Sequence, residues 1–137
     1  MLTYYLQITS SLFLLSYIYY LLYSKKNNHE IALSFCLLFV FSFSQLFWND
    51  PKKYSLIHKT DAYIAKFSIC CFVLYTIFYK NLESFYLYSY LFLMFLVFYF
   101  FYLSNYYSSK DWCCPSHIFY HGASHIFCFI GSLYAFI

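Results

Sequence analysis

The chain has no arginine, only two glycines and two prolines, and five acidic residues in 137. Charged residues make up 9% of it, against about a quarter in an ordinary soluble domain, which excludes a water-solvated globule. The formal charge of +3 rests on eight lysines scattered through short connections, so no clustered basic face for nucleic acid is present. Cysteines stand at 36, 70, 71, 113, 114 and 128, mostly inside apolar stretches where a thiol behaves as a small hydrophobe. That placement excludes a secreted disulfide framework. The first apolar stretch begins almost at Met1 without a basic leader or a small-residue cleavage site, and so reads as a retained span.

What is present is apolar surface: 64% of residues are hydrophobic and 29% aromatic. Apolar windows of the length needed to cross about 30 Å of hydrocarbon fall near Thr3–Tyr23, Ile31–Trp48, Leu56–Tyr79, Phe85–Ser104 and Ser116–Ile137. The expectation is an all-α, multi-pass integral membrane protein, one bundle of about five transmembrane helices over residues 1–137, with neighbours packed as antiparallel hairpins. No internal repeat is visible, and no linker is long enough to divide the chain. An odd number of spans puts Lys52, Lys53, Lys59, Lys66 and Lys110 on the side of the N-terminus and Lys25, Lys26 and Lys80 on the other. The excess of lysine places the N-terminus in the cytosol.

Three histidines, His117, His121 and His125, open the last window four residues apart, and on a helix they form one row with a drift of about 40° per step. Imidazoles so spaced can share a metal ion, and a helix N-terminus disfavours the imidazolium form. They can equally be polar residues at the membrane boundary, hydrogen-bonded to neighbouring helices. In the third window His58 and Asp61 share a face; an intramembrane Asp is costly unless paired, bonded or ligating. The second window ends in Ser44, Gln45 and Trp48, the indole suiting an interfacial belt and the Ser a back-bond to a carbonyl. The span count alone puts Ser44, His58, Asp61, His117 and His121 in one leaflet, where a single polar pocket is feasible. Cys113 and Cys114 lie on that side too, as soft-metal ligands, palmitoylation sites or plain structural residues.

These residues give the chain a resemblance to the CREST superfamily of membrane hydrolases, which includes alkaline ceramidases, progestin and adipoQ receptors and haemolysin III-like proteins. His117-Ile-Phe-Tyr-His121 matches the closing H-x-x-x-H motif, Asp61 the Asp that opens a helix, and Ser44 the Ser of the family pattern. Trp48 stands where the first zinc-binding His is expected, and His58 or His125 is the residue offered in its place. The family generally has seven spans against five here, so the likeness covers about half of the chain. The resemblance implies zinc held by His117, His121 and His58, with Asp61 as general base and Ser44 stabilising an oxyanion. It implies hydrolysis of a lipid amide or ester, ceramidase-like, on a substrate arriving from the bilayer. The competing expectation is a non-catalytic membrane subunit or scaffold, associated with copies of itself or with other chains of a larger complex.

Overall fold

Four of the five helices are long and apolar enough to cross a membrane: α1 (Thr3–Tyr23), α2 (Asn28–Asn49), α3 (Leu56–Phe78) and α4 (Ser84–Lys110). The fifth, α5 (Pro115–Leu133), carries the histidine row. This is a computed structural model, and it describes residues 2–137. The apolar windows fix the helices, and their outward faces are rich in exposed Leu, Ile, Phe and Tyr, as a lipid-facing surface is.

Two boundaries differ from the sequence expectation by more than three residues. α4 continues past Ser104 to Lys110, and in this polar extension Ser108 and Ser109 turn their hydroxyls back onto the Asn105 and Tyr106 carbonyls. α5 ends at Leu133 rather than Ile137; the last residues tighten into i→i−3 turns from Tyr134, Ala135 and Phe136 onto Gly131, Ser132 and Leu133.

The helices pack in the series α3, α2, α1, α5, α4. α5 lies between α1 and α4 and buries His117, Ser124, His125 and Ser132 along with its two glycines. Small residues let its backbone approach its neighbours. A Cβ on Gly131 would meet the Met94 methyl of α4 at 2.6 Å, and Ser16 of α1 meets Ser132 of α5 hydroxyl to hydroxyl at 2.6 Å. Gln45 ties α2 to α1 through the Gln7 carbonyl (2.7 Å) and Ser10 Oγ (2.8 Å). α3 and α4 stand at the two free ends of the series and leave a cleft between them.

Three helices begin with one and the same cap. The residue before the N-cap is left-handed (Lys26, φ 54°; Tyr54, φ 64°; Cys113, φ 61°), and the N-cap side chain (Asn27, Ser55, Cys114) accepts from the backbone N–H three residues on. The side chain of that third residue then reaches back to the left-handed residue's N–H: Glu30 to Lys26 (3.1 Å), His58 to Tyr54 (3.0 Å), His117 to Cys113 (3.2 Å). This is a capping box displaced by one residue, in which reciprocal bonds satisfy amides that the first turn would leave orphaned. Its cost is an L-residue at positive φ. Lys26 is exposed and makes no side-chain contact that the cap requires, so Lys26→Gly is expected to stabilise the protein by about 0.5–1 kcal/mol, read as a higher thermal midpoint in detergent. A lower midpoint would mean that the cap does not form.

Candidate functional site

A cavity of about 390 Å³ runs inside the bundle from the end where α2 finishes and α3 and α5 begin as far as Tyr90, Met94 and Ser132. Ser44, His58, Asp61, His117 and His121 all line it, together with His125 one turn deeper. The backbone places them there from three helices: Ser44 in the last turns of α2, His58 and Asp61 in the first turns of α3, and the histidine row along α5.

Aromatic rings separate and hold the imidazoles. His58 stacks on Phe47 at 4.8 Å between centroids, with 11° between planes. Trp112 lies against both His58 (5.2 Å) and His117 (5.0 Å). Trp48 meets His117 at 6.1 Å and His121 edge-on at 5.0 Å. Along the row, His117–His121 and His121–His125 are T-shaped pairs at 5.9 and 4.8 Å. Trp48 is therefore no interfacial residue: it is 1% exposed and packed with Leu6, Phe47 and Ile118, because its helix face turns toward α5 rather than toward the headgroups.

Each imidazole has a defined partner at Nδ1. His121 faces Ser104 Oγ at 3.1 Å and His125 faces Thr9 Oγ1 at 3.0 Å, tying α5 to α4 and α1. His58 and His117 instead accept backbone N–H groups, from Tyr54 and Cys113. A backbone amide can only donate, so Nδ1 of both rings is bare and the ring proton sits on Nε2. A histidine that ligates through Nε2 needs the opposite arrangement, Nδ1–H donating and Nε2 bare. As arranged, these rings do not fit zinc. Among the described residues, no group of three or more His, Cys, Asp or Glu side chains is placed to hold a metal ion.

The two cysteines beside the site serve packing and capping. Cys114 Sγ accepts the His117 N–H at 3.4 Å, and Cys113 packs on the cluster of Leu6, Phe47, Trp48 and Ile118. Burial pushes the Cys113 thiol up, with Cys114 and Asp111 adding to the effect.

Asp61 forms no hydrogen bond or ion pair with another of the described residues; the ion pairs among these are Lys52–Asp50 and Lys80–Glu30. Ser44 does not back-bond: its Oγ is buried without a partner, as are Trp48 Nε1 and Ser68 Oγ on the same cavity wall. An unpartnered buried polar group costs about 1–3 kcal/mol, and these three belong to residues that line one cavity. The sequence reading named Ser44 and Trp48 for other reasons and missed Ser68, Lys53 and Trp112, all of which line the cavity.

A second, outer groove of about 550 Å³ runs in the cleft between α3 and α4. Lys66, Ile69, Phe101 and Asn105 line both it and the inner cavity, so the two meet there. Comparison of the chain with protein-family models, with curated proteins and with solved structures gives no match.

Proposed function

We propose that this chain is an integral membrane protein, with all five helices in the bilayer, that takes a lipid-like amphiphile into its interior cavity through the cleft between α3 and α4. The observation that carries this reading is a cavity lined by polar side chains that meets, at Lys66, Ile69, Phe101 and Asn105, a mostly apolar groove on the outer face of the bundle. Its volume of about 390 Å³ is in the range of small-molecule sites, and a mostly apolar wall with a few convergent polar groups is the usual make-up of such sites.

Protein purified in mild detergent is expected to retain an amphiphile at about one per chain, detected by native mass spectrometry. Ile69→Trp, which fills the junction of groove and cavity, is expected to lose it. Wild-type protein that arrives empty, or an Ile69→Trp variant that retains its full load, would sink this reading.

A second reading, favoured by Ser44, Asp61, His117 and His121 lining the same cavity, is the intramembrane lipid amide or ester hydrolase that the CREST resemblance implies. Asp61 is then the base that draws a proton from water and Ser44 the donor to the developing oxyanion. Asp61→Asn separates the two readings: a hydrolase loses turnover while the binding site keeps its occupant.

A further inference from the structure

We infer that the cavity selects an anionic head group, a carboxylate or a phosphate monoester carried on one alkyl chain, because among the lining groups that can act in one direction alone the donors outnumber the acceptors. This rests on reading the cavity as an amphiphile site. Trp48 Nε1–H is a donor with no acceptor capacity, and it is buried without a partner. His58 and His117, with Nδ1 taken by backbone amides, each have Nε2–H as the remaining ring group. Lys53 gives one N–H to the Ser108 carbonyl at 3.0 Å, which leaves two.

At the junction with the outer groove stands Lys66, which has no carboxylate partner among the described residues. Against these donors the wall sets one carboxylate, Asp61. Ser44 and Ser68 can act either way. A head group made of donors, such as an ammonium, would leave Trp48, His58 and His117 facing donors, and a lone hydroxyl would satisfy at most a couple of them. Carboxylate and phosphate oxygens offer several acceptor sites and carry the charge that two lysines and one aspartate leave unbalanced. The single furrow between α3 and α4 accommodates one chain.

The test is calorimetric titration of the purified protein, in a neutral maltoside detergent, with four probes of equal chain length: laurate, dodecyl phosphate, dodecanol and dodecyltrimethylammonium. At least one of the two anions is expected to bind about tenfold or more tighter than dodecanol, since hydrogen bonds to a charged group are the strong ones, and the cation is expected not to bind. Comparison of laurate with dodecyl phosphate tells which head group is preferred.

Trp48→Phe is expected to weaken anion binding about tenfold, and to cost the empty protein about 1 kcal/mol or more because the smaller ring leaves a gap in a packed cluster. Lys53→Met gives the same loss by another route if the indole is needed for folding. Asp61→Asn is expected to tighten anion binding. Dodecanol binding as well as the anions, with Trp48→Phe and Lys53→Met silent, would overturn the anion inference and leave the cavity reading standing. No binding of any probe would overturn both.

Discussion

Glu30→Ala is expected to destabilise the protein by about 3–5 kcal/mol, the largest effect of any single substitution considered. Glu30 is fully buried at the end of the bundle opposite the one where α2 finishes and α3 and α5 begin. Its Oε1 accepts from Tyr75 (2.9 Å) and from the Lys80 ammonium (3.0 Å), and its Oε2 from the Ser24 hydroxyl and the Lys26 amide. Asn27 completes the knot by donating to the Tyr75 oxygen at 2.9 Å. One carboxylate thus joins the segment after α1, the first turn of α2 and the last turn of α3. Its removal leaves Lys80, whose side chain is 7% exposed, without its counter-charge. Thermal unfolding in detergent measures the loss. Glu30→Gln, which still accepts from Tyr75 but lacks the charge, is expected to fall between wild type and Glu30→Ala. Glu30→Met/Lys80→Met is expected to lose less than the two single changes added, since neither charge is left alone. A loss under about 1 kcal/mol for Glu30→Ala would mean that Lys80 reaches water or headgroups on its own.

That knot shows which parts of the fold can be read from the chain and which cannot. The helices were legible because a helix long enough to cross a bilayer needs an unbroken apolar run, and the runs stand plainly in the sequence. The common end of Ser44, His58, Asp61, His117 and His121 was legible too, since it follows from counting helices, and the five do line one cavity. Glu30, by contrast, lies just outside the second apolar window. Its partners Tyr75 and Lys80 lie 45 and 50 positions away, and no local pattern announces them. The burial of Trp48 was equally hidden, because a Trp at the end of an apolar run suits the interface and the core alike.

The caps are an intermediate case. The spacings Asn27-x-x-Glu30, Ser55-x-x-His58 and Cys114-x-x-His117 are visible, but His seldom plays the part of Glu or Gln, and a left-handed Tyr or Cys carries no sequence mark. So His117 was assigned to a metal by its spacing in the histidine row, and His58 by the family resemblance. What decides the chemistry of their rings is the direction of one backbone N–H each.

His117→Ala is expected to cost about 2–4 kcal/mol, and His117→Gln to recover much of that loss. The imidazole is 3% exposed, packed against both indoles, and it closes the α5 cap through Cys113. Alanine loses the cap, worth about 1 kcal/mol, and opens a hole between Trp48 and Trp112 that adds the cost of a large-to-small change in a core. Glutamine fills much of that space and supplies the side-chain acceptor that a capping box takes at this position. A zinc ligand behaves differently: glutamine does not replace an imidazole on the metal, so both variants would lose metal and stability together. Elemental mass spectrometry on wild type and on His117→Ala/His121→Ala supplies the second readout. With the Nε2–H tautomer held by backbone amides, neither protein is expected to carry stoichiometric zinc. One zinc per chain that vanishes in the double variant, with His117→Gln as unstable as His117→Ala, would mean that the ring gives up the Cys113 amide and turns a bare nitrogen to the cavity. The hydrolase reading would then have its metal, and the donor-lined wall on which anion selection depends would lose one of its members.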